Sequence, residues 1–353
     1  MNKIFKKNGT EYIKNIINDA LENGNNIATV TGDWEIESEV RIPSNFTLVL
    51  DGCHLRMADG VFSNMFVNFN HNTPEGRTIE GKDVNIKILG KNNPILDGGK
   101  YNGLSEKTQR KDGLPPIWKN QLIFFANVDN FEIKDISCHN QRYWAINLVY
   151  CANGHVHDID FKANDIRIDE NGNEVHGLER AKYNDTLVMN GDGVDMRVGC
   201  HDILVENLTG FCEDDSVAAT GIMGRSEKEF AVEGMSSDIC NITIKNIRTA
   251  AFCSNVRLLN LGGVKLHDIL VDGVYDMSAE SPYMDRGLYG ARVGDSFRYG
   301  DHRVATADET YNIIFKNVHS RSCYGALSLI GEMTNVTYEN IVAIGDTPQY
   351  EIW

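Results

Sequence analysis

A short strand-like unit recurs along the whole chain, and such a repeat restricts the architecture before any single motif is considered. Each unit opens on a polar residue, most often Asn or Asp. It continues with alternating apolar residues and closes on Asn, Asp or Gly. Units begin at Asn45, Asn85, Asn130, His155, Asp202, Asn241, Asp268, Asn312 and Asn335. The step from Asn130 to His155 is about 25 residues and that from Asn312 to Asn335 about 23; other steps run to about 40 or more, as if an insertion or a second turn intervened. Periods of this size mean stacked units, not a compact globule. Period-2 alternation with β-branched enrichment is the signature of strands. No helical stripe separates the units, which disfavours leucine-rich repeats and α-solenoids. The pattern predicts an all-β, single-domain parallel β-helix over residues 1–353. Asn suits its recurring turns, because it tolerates left-handed geometry and can form side-chain ladders.

One helix is expected, over residues 10–24, with Thr10 as N-cap, apolar residues at 13, 16, 17, 20 and 21, and Gly24 closing it. Such a helix would cap the open first end of the solenoid, which otherwise exposes core and strand edges. Three insertions break the rhythm, near residues 102–120, 165–184 and 282–303. The second holds a hairpin candidate at Asp169–Asn173, and the third is rich in Arg and Tyr. Long loops on a rigid scaffold tend to carry binding residues.

The net charge of −16 argues against nucleic acid and anionic membranes as partners. No apolar run is long enough for a membrane-spanning helix. Basic residues at positions 3, 6 and 7 lead into no apolar stretch, so the expected location is cytoplasmic, or secreted if a leader has been removed. The eight cysteines form no CxxC and no zinc-like spacing, which predicts buried small hydrophobes in a reducing compartment, with no metal and no cofactor.

Two acidic clusters stand out, Asn190-Gly191-Asp192-Gly193-Val194-Asp195 and Glu213-Asp214-Asp215-Ser216. Asp, Asn and Gly are ordinary turn formers. Clusters about one coil apart in a solenoid would nonetheless be neighbours, and neighbouring carboxylates repel and raise one another's proton affinity. Groups of this kind cleave glycosidic bonds. Asp195 lies three residues after Asp192, an odd offset that puts the two on opposite faces of a regular strand, unless a bend at Gly193 brings Asp195 round as a supporting residue.

These segments resemble polygalacturonases and their relatives, glycoside hydrolase family 28, which carry Asn-Thr-Asp-Gly and, one coil later, Gly-Asp-Asp-Cys-hydrophobic-Ala. Ile95-Leu96-Asp97-Gly98-Gly99, Arg142 to Val149, and the entry segments Val40–Pro43 and Leu48–Gly52 sit where that family has similar stretches. The resemblance spans roughly residues 10–345 and implies a right-handed β-helix. It also implies an inverting hydrolase with Asp214 as general acid and with Asp192 and Asp215 positioning and deprotonating water. The family's Gly-His-Gly is replaced by Ala250–Asn255, which has no histidine, and its Arg-Ile-Lys has no clean counterpart. Arg257, Lys265, His267 and Arg292 are the candidates for that substrate-binding role. Asn190, Asp195, His139, Arg142 and Trp144 are further candidates for lining the sugar groove, Trp144 because an indole face stacks on sugars.

The expected function is therefore hydrolysis of oligosaccharides, pectin-derived or otherwise containing uronic acid. The alternatives are a polysaccharide lyase on the same fold, which would use a Lys or Arg base and Ca²⁺, and a carbohydrate-binding solenoid without activity.

Overall fold

The computed structural model describes residues 3–99, 119–141, 143–163, 166–169, 174–176, 186–187, 191–261, 263–282, 284–294 and 305–352. They form a right-handed parallel β-helix built on two long, all-parallel sheets. The first sheet stacks, in chain order, Ile27–Ile36, Phe46–Met57, Asp83–Lys91 with Ile95–Asp97, Val128–His139, Ala152–Lys162, His201–Cys212, Ile239–Ala251, Leu266–Asp276, Thr310–Ser320 and Thr334–Ala343. The second stacks Val40–Ile42, Phe66–Asn68, Ile123–Ala126, Trp144–Val149, Asp192–Met196, Val217–Gly221, Ser254–Asn260, Tyr289–Gly294, Gly325–Ile330 and Tyr350–Ile352. One strand from each sheet makes a coil, and the coils are numbered here from one to ten.

Left-handed Asn, Asp and Gly residues bend the first-sheet strands around the core. In Val128–His139, Asn130 (φ 59°) and Asp135 (φ 56°) are left-handed. Each uses up one residue, so the buried side chains fall at 128, 131, 133, 136 and 138 instead of at every second position. The left-handed positions stack. Asn85 donates to Asn45 and Asn130 to Asn85, each at 2.6 Å, and Asn335 donates to Asn312 at 2.7 Å. A second ladder runs Asn246 to Asn207 (2.9 Å) and Asn340 to Asn317 (2.6 Å). The Asn rows expected from the sequence are thus both turn residues and hydrogen-bonded ladders.

Inside, equal positions pack on one another. Ile136, Ile159, Leu208, Ile247, Val274, Val318 and Ile341 form one continuous buried column. Gly154 interrupts a neighbouring column because the ring of Phe131, its register partner, fills the space: a Cβ on Gly154 would lie 2.0 Å from that ring. The eight cysteines are free thiols, five buried and three half-buried, which fits a packing role.

Helix α1 (Gly9–Glu22) covers the first coil with Ile13 and Ile17, while Leu21 stays exposed. Thr10 is not its N-cap. The Glu37 carboxylate takes that role, accepting from the backbone N–H groups of Asn8 (2.7 Å) and Thr10 (3.3 Å). The Thr10 hydroxyl instead accepts from the N–H groups of Glu37 and Ser38. A tertiary contact has replaced a local cap. Among the described residues no helix is long and apolar enough to cross a membrane. Of the three insertions, 102–118 lies outside the described residues. The second contributes Ile166–Asp169 antiparallel to Glu174–His176, as a hairpin requires.

Truncating the middle of a stacked column leaves a cavity that rigid neighbouring coils cannot close. Leu208→Ala is expected to cost about 2–5 kcal/mol, measured as a lowered urea midpoint at unchanged slope.

Candidate active site

Both acidic clusters enter the second sheet at its leading edge, in coils five and six. Asp192 opens the coil-five strand, while Asp214 and Asp215 immediately precede Val217–Gly221. The register pairs Val194 with Val217 and Asp195 with Ala218. Backbone bonds lock the corners: Gly193 N–H donates to Asp215 O (2.9 Å) and Glu213 N–H to Gly191 O (3.0 Å). Side chains add Asp215 N–H to Asp192 Oδ1 (3.2 Å) and Gly191 N–H to Glu213 Oε2 (2.7 Å).

Asp192 and Asp195 share one face. Val194 is fully buried in the core, and Gly193 also faces inward: a Cβ there would lie 2.3 Å from Ser216 O and 3.0 Å from the buried Phe161 ring. Two successive inward residues shift the alternation by one, so the aspartates on either side both face out. A side chain at position 193 would collide with the Ser216 carbonyl and the Phe161 ring, so only glycine fits there.

The result is five buried carboxyl groups, Asp192, Asp195, Glu213, Asp214 and Asp215. Burial, reinforced by Asp195, Asp214 and Asp215, holds the Asp192 carboxyl well above its ordinary range. Asp214 is pushed up to about 8, first by burial and then by Asp215 and Glu213. Asp195 is pushed up to about 7 by burial, with Arg197 opposing the rise. Arg257, one coil on, places Nη1 3.3 Å from Asp215 Oδ2 and gives that carboxylate a cationic partner. Arg292 lies beside Arg257 in register, over the Tyr289 ring at 4.7 Å and 3.9 Å from Cys253 Sγ.

Asp214, Asp215 and Cys253 bring potential ligand atoms within 4.8 Å of one another. The Arg257 guanidinium already faces this group, and burial with Asp215 and Asp214 keeps the Cys253 thiol protonated.

On the coil-four side, Tyr143 is left-handed (φ 69°), a costly conformation for a bulky residue and one that gathers at functional sites. Its carbonyl accepts the Asp192 N–H (2.9 Å), and the kink lays the Tyr143 and Trp144 rings together at 4.2 Å. Trp144 is buried, with Arg197 over its ring at 4.4 Å, so Tyr143 and Arg197 occupy the indole surface expected to meet a sugar.

Other expected site residues are elsewhere. His139 ends a first-sheet strand near His54 and Asp97, and burial lowers its proton affinity. Lys265 is at the corner between the second and first sheets, its N–H bonding Asp238. His267 stacks on Tyr311 at 4.6 Å and bonds Asp268. His267 belongs to the first sheet and Lys265 to the corner leading into it, and the sequence could not distinguish that sheet from the second. Asn190 and Arg142 lie outside the described residues. So do Arg298, Tyr299, His302 and Arg303 of the third insertion, whose Arg286 binds the carbonyls of Arg321 and Ser322. Sequence reasoning missed Arg197 and Glu227. Arg197 had a signal, since it stands two residues after Asp195 and so on the same face; Glu227 sits on a short insertion and had none.

No family model matches this chain, and no curated protein does. Solved structures do. A tailspike-protein mutant of E. coli bacteriophage HK620 in complex with a pentasaccharide superposes with a TM-score of 0.56 at 13% identity, over 97% of this chain and 61% of that one. A tailspike double mutant with the same sugar gives 0.56 at 16%, over 98% and 61%. A hyperthermoactive exopolygalacturonase from Thermotoga maritima gives 0.56 at 13%, over 97% and 86%. The chain spans about three fifths of the tailspike chains it matches. At these identities the likeness shows the fold, a right-handed parallel β-helix.

Carboxyls raised on folding stabilise the native state below their unfolded pKa, and that contribution is lost as pH rises through the folded value. For Asp195 and Asp214 the window runs from about 4 to about 8. Wild type is expected to lose more stability than Asp214→Asn between pH 4 and pH 8, with the variant the more stable at pH 8. Urea unfolding at a series of pH values checks this, and identical pH profiles would refute the assignment.

Proposed function

We propose that this chain is a glycoside hydrolase acting on oligosaccharides, pectin-derived or otherwise containing uronic acid, by an inverting acid/base mechanism. The observation that carries the proposal is the division of labour among crowded carboxylates: Asp214 stays protonated to about pH 8 while Asp215 faces the Arg257 guanidinium. A glycosidase needs this asymmetry, one carboxylic acid to protonate the leaving oxygen and one carboxylate to activate water across the sugar ring. Asp214 is the acid and Asp215 the base. Asp192, which burial keeps protonated, orients the water and does not deprotonate it. Arg257 and Arg292 supply positive charge beside the site, suited to an acidic sugar. Fold likeness to an exopolygalacturonase and to a pentasaccharide-bound tailspike supports a glycan substrate. Eight free thiols support a reducing, cytoplasmic setting.

A panel of uronic-acid and neutral oligosaccharides tests the proposal by release of reducing sugar. Asp214→Asn is expected to lower the rate about 10²- to 10⁴-fold, the usual worth of a general acid. Wild-type activity should fall as pH rises past about 8, where Asp214 ionises. NMR of the first-formed product should show inverted anomeric configuration. No cleavage across the panel, or full activity in the variant, would sink the proposal, and an ultraviolet-absorbing unsaturated product would mean elimination instead.

A further inference from the structure

Behind the acid cluster lies a buried cation that the hydrolytic roles above do not use. Arg197 immediately follows the coil-five strand, two residues beyond Asp195 and on the same side. Its guanidinium is held on one side by Glu227, from the five-residue helix α2 (Arg225–Glu229): Nε donates at 2.8 Å and Nη2 at 2.6 Å to the same oxygen, Oε1. The Trp144 ring, 4.4 Å away, lies against it. Towards Asp195 the approach is looser, Nη1 to Oδ1 at 3.6 Å, beyond hydrogen-bonding distance. Among the described residues, neither Asp195 oxygen takes a bond from a backbone or side-chain N–H. Its hydrogen-bonding neighbour among the described residues is the Asp192 carboxyl, a contact that requires one of the two to carry a proton. Both ends of the arrangement are sealed: the side chains of Asp195 and Glu227 are 1% and 2% exposed.

We propose that Arg197 and Glu227 are a positioning pair for the acid cluster: Glu227 and Trp144 hold the guanidinium beside Asp195 without bonding it, so that Asp195 and Asp192 keep a shared proton. An ion pair this deep gives little net stability, because desolvation offsets the attraction, so its placement is better explained by what it does to its neighbour. If Arg197 bonded Asp195 fully, the ionised form of Asp195 would be favoured and the proton would rest on Asp192 alone. Without Arg197, Asp195 would face Asp192 and Asp215 with only the more distant Arg257 opposing them. The charged or titratable groups around the pair, among the described residues, include Asp195, Tyr143, Cys200 and Glu227 about Arg197, Tyr150 about Glu227, and Arg197, Asp192, Asp215 and Arg257 about Asp195. The coil-four neighbour in register with Asp195 is the neutral Asn147. This proposal rests on the hydrolytic assignment for its catalytic meaning only; the proton itself can be followed without substrate.

The test is carboxyl-carbon NMR titration of Asp195 in protein labelled at aspartate. In Glu227→Gln the guanidinium is released toward Asp195, and the titration midpoint should fall by about one pH unit or more. In Arg197→Gln the midpoint should rise by a similar amount. Opposite shifts from the two halves of one ion pair are a signature that loss of packing would not produce. Should either single variant fail to fold, the double variant Arg197→Met/Glu227→Leu replaces the pair with apolar side chains of similar size, which buried pairs often tolerate. Its midpoint should rise, because the nearest cation is gone. Shifts in one direction for both single variants, no shift, or a fall in the double variant would overturn the proposal. If a substrate is found, the pH–rate profiles should move with the midpoints; failure to find one leaves the titration result standing.

Discussion

In-register stacking of parallel coils is the constraint on which the rest of this molecule depends. Neighbouring strands lie about 4.8 Å apart, and each residue has the equivalent residue of the next coil directly above it. Whatever stands at a position is therefore repeated, complemented or opposed by its neighbours. Aliphatic side chains become columns such as Ile136 to Ile341, and left-handed Asn residues become ladders that pair their own side-chain amides. Charges on the outer face must alternate. The row Glu206, Lys245, Asp272, Lys316, Glu339 does so, with Lys316 and Glu339 bonded at 3.2 Å.

Against that rule, the acid cluster is the exception. Adjacent coils place Asp192 and Asp195 against Asp214 and Asp215, with burial removing the water that would screen them. Proteins depart from local consistency where function requires it. The departure here coincides with two backbone devices. At Gly193 a missing side chain allows two consecutive inward residues, and at Tyr143 a left-handed aromatic brings two rings onto one side. Each breaks the strict alternation of a strand to gather side chains that the regular pattern would separate. Three arginines then set limits: Arg257 meets Asp215, Arg292 flanks it, and Arg197 stops short of Asp195.

Much of the fold was legible because a solenoid writes its period into its sequence. Asn130 and Asn312 announce their coils, and alternation marks the core positions. The acid cluster was legible for the same reason, since clusters a coil apart must meet. What escaped were relations without a period. Glu37 caps helix α1 from outside it, where the local pattern favoured Thr10. Lys265 and His267 carry suitable chemistry but sit at the entry to and on the other sheet, and a strand-like unit does not say which sheet it joins. Trp144 has the kind of ring that stacks on sugars, yet Arg197 and Tyr143 cover it.

The sequence by itself determined the repeat, the Asn turns and the neighbourhood of Asp192, Asp214 and Asp215, because these follow from spacing along one chain. Only the tertiary structure decided which carboxyls hold protons. That depends on burial and on the distance to each guanidinium, 3.3 Å from Arg257 to Asp215 and 3.6 Å from Arg197 to Asp195. Electrostatic energy in a buried site varies with such distances and with the loss of water, neither of which can be read from residue order.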